Sequence, residues 1–348
     1  MSSIWNNRIS VSMFGEADGP AIGVTIDNLP SGEYIDAEEV VKFMSRRSPK
    51  NDGTADVSRL RRENPAPRIM SGVKNERTTG TPLCAFIQNP APVPEKKSEE
   101  DVRSRRGHAD YTGAVRYRGF ADVLKSGKFS EKLTVPLCFA GAVCGQILER
   151  RGIYTGGHIM QVHNIKDNPF DTARLRRDHI ISIRSKNFPV INDRKGWLMC
   201  DDIRKAGSAG ESLGGIIECA SVNVPAGVGS PVFNGLENSI AQLVFGIPFV
   251  TGLEFGSGFA GARMLGSQNS DDFYTNEYGY SVTKTNNHGG IIGGISSGMP
   301  IVLKVAVKPS ICGNESYSPC AVPRLVPCVE SAVNIALLSH MIDYPNFC

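Results

Sequence analysis

The stretch Gly289-Gly290-Ile291-Ile292-Gly293-Gly294-Ile295-Ser296-Ser297-Gly298 places glycine at half of its ten positions. A helix does not survive such a run, because each interior glycine costs about 1 kcal/mol relative to alanine. Glycine is used where the chain turns with positive φ or where one backbone must approach another closely. The segment therefore reads either as tightly packed short strands or as a loop whose NH groups meet a phosphate or a flat cofactor. Its spacing does not fit the G-x-G-x-x-G dinucleotide fingerprint, and no helical pattern follows it. Instead Ile301-Val302-Leu303-Lys304-Val305-Ala306-Val307 follows, a β-rich run that enters Lys308-Pro309.

The same density of turns marks the whole chain, with 37 glycines in 348 residues against an average near 7%. Ile9 to Phe14 alternates polar and apolar before Gly15, and Ala21 to Ile26 is a second β-rich run. These predict two strands with a turn between them. Asp36-Ala37-Glu38-Glu39 leads into Val40 to Met44 and ends on Arg46-Arg47, the charge order that suits a helix dipole. Leu137 to Leu148 predicts a buried helix with Pro136 near its first turn, Gly214 to Val222 a strand, Leu236 to Phe245 a helix, and Val329 to Met341 a closing helix. Strands fall in neighbouring pairs and do not alternate strictly with helices, so the expected class is α+β with antiparallel sheets. Residues 89–107, NPAPVPEKKSEEDVRSRRG, are rich in proline and charge without apolar periodicity and read as a surface loop or mobile segment.

At 348 residues the chain suits two domains or one large one. Its 41% hydrophobic and 21% charged content is that of a folded globular protein. A net charge of +3 is too small to imply nucleic acid or an anionic membrane as partner, so any basic site must be local. No apolar signal core opens the sequence and no run of about 18 uninterrupted apolar residues occurs, which places the expectation in the cytoplasm. The nine cysteines, at 84, 138, 144, 200, 219, 312, 320, 328 and 348, form no CxxC pair and suit reduced, mostly buried thiols.

Few residues declare chemistry by themselves. His108 lies in Arg105-Arg106-Gly107-His108-Ala109-Asp110-Tyr111-Thr112, beside guanidiniums suited to phosphate or carboxylate, and is readable either as part of an anion site or as a structural histidine. Arg59, Arg61, Arg62 and Arg68 form either a solvated face or an anion-binding one. The other five histidines show no metal-ligand spacing, and no metal is assigned.

Taken together, MSSIWNN, FGEADGPAIGVTIDNLPSG, MSGV…TTGTPL, GHADYTG, VPAGVGSPVF, GLEFGSGFAG, TNNHGGIIGGISSGMPIV and VPRLVPCVESA resemble the chorismate synthase family over nearly the whole chain. The resemblance implies one domain over residues 1–348, a β-α-β sandwich with a helical layer between antiparallel sheets, assembled as a homotetramer. It implies an anti-1,4-elimination of phosphate from 5-enolpyruvylshikimate 3-phosphate, with reduced FMN present but not consumed, and no nucleic-acid or membrane partner. His108 matches the catalytic histidine of GHADYT, while Arg105, Arg47 and the basic Lys132 are the implied substrate-binding residues. Lys128, Ser130, Gly293 and the segment Lys308, Pro309, Ser310, Ile311 and Cys312 fall where the family meets FMN.

Departures concentrate at the site. Where the family reads FGESHG this chain reads Phe14-Gly15-Glu16-Ala17-Asp18-Gly19, so Asp18 stands at the position of the second catalytic histidine. An ionised carboxylate there repels phosphate where a proton donor is wanted. The family's glycine-arginine turn is replaced by residues 121–130, and its GRHDPC by Asn314-Glu315-Ser316-Tyr317-Ser318-Pro319-Cys320. The sequence thus implies an impaired enzyme with weakened FMN binding. The alternative is a non-catalytic paralogue that keeps the fold as a binding or scaffold protein.

Overall fold

In the computed structural model, residues 3–17, 19–47, 66–88, 109–118, 130–277, 279–310 and 318–344 are described. The alternation in the first thirty residues folds as expected into antiparallel strands: β1 Ile4–Asn6, β2 Ser10–Gly15 and β3 Ala21–Asp27. With β4 Arg68–Ser71 and β5 Leu83–Gln88 they form a five-stranded antiparallel sheet ordered β1-β2-β3-β5-β4. Val11, Ile22, Val24, Ile26, Leu83, Ala85 and Ile87 bury its inner face. Gly15 has φ +91°, and a Cβ there would lie 2.3 Å from the carbonyl oxygen of Ala21, so only glycine fits the entry to the turn at Glu16 and Ala17.

Asp36 then caps α1, Ala37–Ser45, its carboxylate accepting from the NH groups of Glu38 and Glu39. The short helix α2, Asp110–Arg116, precedes the core helix α3, Thr134–Arg150. A second five-stranded antiparallel sheet follows: β6 Tyr154–Val162, β7 Ile165–Lys166, β8 Gly215–Val222, β9 Val250–Phe255 and β10 Ile301–Val307, ordered β9-β10-β8-β6-β7. β8 and β10 pair from Gly215 with Val307 to Ser221 with Ile301. Helices α4 Arg177–Arg184 and α5 Asp193–Ser208 lie between β7 and β8 in the chain, α6 Leu236–Val244 between β8 and β9, and α7 Val322–Met341 closes the described chain. One apolar cluster runs from the first sheet through α3, α6 and α7 to the inner face of the second. A smaller cluster, including Phe170, Ile180, Ile183, Val222 and Val302, covers the second sheet's other face.

The two core helices decide the shape of the middle layer. Cys138 faces Cys328, Gly141 faces Ser331 and Gly145 faces Asn334, so α3 and α7 run parallel. A Cβ on Gly141 would lie 2.1 Å from that of Ser331, a contact no larger residue permits. Both helices are long and apolar enough by composition to cross a membrane, yet α7 is buried at all 20 positions and α3 at most of its length inside the protein. Each begins earlier than its sequence pattern suggests. Pro136, Pro323 and Pro327 interrupt the apolar periodicity, but a proline in a first turn forfeits no intrahelical hydrogen bond. Pro327 lies deeper, where its carbonyl still accepts from the Ser331 hydroxyl at 2.7 Å.

The glycine-rich stretch becomes a small hairpin, Ile291–Ile292 with Ile295–Ser296. Three of its glycines serve close packing: a Cβ would lie 2.4 Å from Gly256 N at Gly289, 2.3 Å from Pro300 O at Gly290, and 2.3 Å from Ser230 O at Gly294. Gly293 is different, since it has φ +62° and a Cβ there would meet nothing.

Candidate functional site

Helix α1 ends on two arginines that point to different partners. Arg46 makes paired hydrogen bonds to the carboxylate of Glu330 on α7, the Nη2–Oε1 bond measuring 2.8 Å. Glu330 Oε1 also accepts the NH of Gly157 at 2.8 Å. Burial works against the Arg46 charge, but Glu330 outweighs it and raises the guanidinium pKa. Arg47 is 3% exposed and is held by neutral oxygens, donating from Nε to the Thr134 hydroxyl at 2.6 Å and from Nη2 to the Glu131 carbonyl at 2.8 Å. Among the described residues it meets no carboxylate. A buried guanidinium is costly unless a negative charge meets it, and a setting of neutral oxygens such as Arg47 has among the described residues favours an anion.

The residues around Arg47 come from the turn before α3, the turn after β2 and the first turn of α7. Ser130 caps a short 3-10 turn over Glu131–Leu133 by accepting the NH of Lys132, and α3 starts directly after it. Lys132 Nζ reaches the Ala17 carbonyl at 3.3 Å, at the end of the turn after β2. Arg324, in the first turn of α7, pairs with Glu131 at 2.7 Å. The strand end at Lys308, Pro309 and Ser310 is tied to the entry of α7, because the Ser310 hydroxyl donates to the Ser318 carbonyl at 2.8 Å. The Ser212 hydroxyl donates to the Ser310 carbonyl at 2.6 Å. Lys308 and Pro309 are exposed.

Since α3 and α7 are parallel, their N-termini open at the same end, where Arg47, Lys132 and Arg324 lie. Neither helix has a side-chain cap at its first residue. Each such terminus carries the equivalent of about half a positive charge, and with Arg47, Lys132 and Arg324 against the carboxylate of Glu131 the balance at this end is positive. An anion with two or three charged groups is the ligand this end suits.

Of the residues expected from sequence, Arg47, Ser130 and Lys132 gather at the start of α3, while the Lys308 to Ser310 segment reaches the chain just before α7 through Ser318. Gly293 does not join them. Its hairpin packs on the segment before α6, with Leu236 NH donating to Gly294 O, and α6 meets α7 near the other end through Ser239 and His340, 2.8 Å apart. Along α7, Arg324 and His340 are separated by about 24 Å of helix rise. Asp18, Arg105, His108, Lys128, Ile311 and Cys312 lie outside the described residues, as does the 89–107 segment. Glu131, Thr134 and Arg324 were not singled out from sequence. Arg324 stood within VPRLVPCVESA, but its place beside Arg47 depends on the parallel packing of two helices distant in the chain.

A family profile described as chorismate synthase matches residues 9–342. A relative named chorismate synthase from Lancefieldella parvula is 35% identical, with 99% of this chain and 98% of the relative covered. Another of that name, from Thermococcus kodakarensis, is 34% identical with 96% of each covered. A solved structure described as "Crystal Structure of Chorismate Synthase" is similar with a TM-score of 0.80 at 26% identity, covering 98% of this chain and 94% of that one.

Proposed function

The chain belongs to the chorismate synthase family, and from that membership we propose that it is a phosphate-eliminating carbon-oxygen lyase acting on 5-enolpyruvylshikimate 3-phosphate. The observation that carries the reading is Arg47, a buried cation held by neutral oxygens where two helix N-termini open together. The substrate is a trianion, and the reaction is a 1,4-elimination in which the carbon-oxygen bond to phosphate breaks and a proton leaves. Arg47 binds and orients an anionic group of the substrate, with Lys132 adding positive field and Arg324 held by Glu131 beside it. A charge fixed in a closed site stabilises developing negative charge more strongly than it would in water. His108, by its match to the family histidine, is the remaining histidine proton donor of the site; Arg105 joins the substrate contacts.

Reduced FMN is the family's cofactor. Lys308, Ser310 and Ser130 supply a cation and two hydroxyls at the same positive end, chemistry that suits the flavin's phosphate. Lys128 and the segment through Ile311 and Cys312 are proposed with them. When bound, the reduced flavin supplies the electron-rich partner that the elimination requires. Gly293, at the far end of α7, belongs to this site within one subunit only if the chain outside the described residues reaches it. The replaced glycine-arginine turn and the Ser316 position argue for weaker flavin affinity.

The assembly proposed is a homo-oligomer, a tetramer by family likeness, working in the cytoplasm. Supporting it, exposed apolar side chains concentrate between Val232 and Ile292, among them Phe233 at 91% and Phe259 at 77% exposure. The retained Arg47 arrangement speaks for the enzyme and against a bare scaffold. An anaerobic assay with reduced FMN and 5-enolpyruvylshikimate 3-phosphate tests the function. Equal release of chorismate and phosphate is expected, below the rate of a relative with FGESHG. The double change Asp18→His with Ala17→Ser is expected to raise the rate, toward the factor of about 10² to 10⁴ that a general acid supplies. No chorismate from either protein would overturn the reading.

A further inference from the structure

Two thiols lie in the core directly under Arg47. Cys138, in the second turn of α3, and Cys328, in the second turn of α7, have their sulfurs 3.6 Å apart, with Cys138 donating to Cys328. Both are fully buried. One turn further on, Gly141 packs directly against Ser331, so the two helices are in close contact beside the pair. A disulfide needs a sulfur-sulfur distance of about 2.05 Å, an approach of roughly 1.5 Å.

The two environments are unequal. Burial opposes ionisation of Cys328, but the hydrogen bond from Cys138, the Arg47 charge, the Thr134 hydroxyl and the Arg324 charge outweigh it and lower its pKa. Cys138 is pushed the other way, first by its hydrogen bond to Cys328 and then by burial. One thiol is thus the nucleophile and its neighbour the resolving group, the division of labour found in redox-responsive cysteine pairs.

We propose that Cys138 and Cys328 form a dithiol that hydrogen peroxide closes to a disulfide, tying α3 to α7 beneath Arg47. Peroxide is little larger than water, whereas bulky disulfides are excluded from so buried a pair. The Cys328 thiolate attacks one peroxide oxygen; an S–O bond forms, the O–O bond breaks, and the leaving hydroxide takes up a proton to become water. The Cys138 sulfur then attacks the Cys328 sulfenic acid; the S–S bond forms, the S–O bond breaks, and the departing oxygen takes the Cys138 proton as a second water. Two thiols are oxidised by two electrons and one peroxide is reduced to two waters. Closure also removes the ionisable sulfur that faces Arg47 and Arg324, so the pair reports oxidation to the cationic end of the fold. The chemistry does not depend on which reaction that end performs.

The test uses the full chain, reduced, desalted, exposed to hydrogen peroxide and then alkylated before peptide mass spectrometry. A Cys138–Cys328 linked peptide, lost again on reduction with dithiothreitol, is expected. In Cys138→Ala, quenched after peroxide into denaturant containing dimedone, Cys328 should be labelled, because Arg47, Arg324 and Thr134 stay beside its sulfur; in Cys328→Ala, treated the same way, labelling of Cys138 should be weaker. Oxidation of the half-buried Cys84 or Cys200 while the pair stays reduced at every dose would overturn the proposal, as would stronger labelling of Cys138 than of Cys328. If either variant fails to fold, the wild-type peptides decide alone: the link supports the proposal and its absence overturns it.

Discussion

His158 is fully buried with a carboxylate on each side, Glu218 Oε2 at 2.9 Å from Nε2 and Asp167 Oδ2 at 3.3 Å from Nδ1. Burial disfavours its charge, yet the two carboxylates outweigh burial and raise its pKa above the ordinary 6.5. Asp167 shifts the opposite way; burial raises it, but His158 and the NH groups of Ile191 and Asn192 hold it below 3.8. A raised histidine gives stability that is full below its unfolded pKa and is lost as pH climbs through the folded value. The expected stability curve therefore declines on the alkaline side of 6.5, and His158→Gln should abolish that decline while lowering the plateau by about 3 kcal/mol, the cost of breaking a buried ion pair. Denaturant titrations across pH measure both; an unchanged alkaline slope in the variant would count against a charged His158. None of this was legible in the sequence, where His158 showed only the absence of metal spacing. Its partners come from the turn after β7 and from the neighbouring strand β8, contacts that exist only once the sheet has formed. Arg47 was legible as a substrate contact only through its match to a family arginine; the acids at the start of α1 and the arginines at its end announced the helix but did not separate Arg47 from Arg46.

Among the elements, the parallel pair α3 and α7 carries most of the core. Gly141 and Gly145 leave α3 a flat face, and the Ser331 and Asn334 side chains of α7 fill it. Gly141→Ala should be destabilising, by about 1 to 3 kcal/mol as overpacked cores show, although alanine is the better helix former. Gly152→Ala tests the contrast: nothing lies near a Cβ there, and only the φ of +79° opposes it. A lowered melting temperature is expected for Gly141→Ala, and an unchanged one would contradict the packing. Strands and short helices were readable from alternation and capping, as at Asp36. The start of α7 was not, since the pattern announced only Val329 to Met341, and the helix begins at Val322 with Pro323 in its first turn and Pro327 inside it. The glycine stretch was readable as non-helical, but which glycines pack and which turn follows from backbones at Gly256, Pro300 and Ser230.

At the scale of the whole molecule, paired β-runs gave the α+β class, and the two antiparallel sheets around a helical layer agree with it. Which residues gather at one end could not be read off, because that depends on α3 and α7 pointing the same way. The exposed Phe233 is expected to lie in a subunit contact, so Phe233→Asp should shift the sedimentation coefficient toward that of a monomer; an unchanged oligomer would place the contact elsewhere. The central claim is that the joint N-terminal end of α3 and α7, through Arg47, holds an anionic group of the substrate. Its most direct test is calorimetric titration of 5-enolpyruvylshikimate 3-phosphate into wild-type protein and Arg47→Gln, with circular dichroism to verify the variant's fold. A charge-assisted contact contributes about 1.5 to 3 kcal/mol, so the folded variant should bind about ten- to a hundredfold more weakly. Equal affinity in the two proteins would contradict the claim.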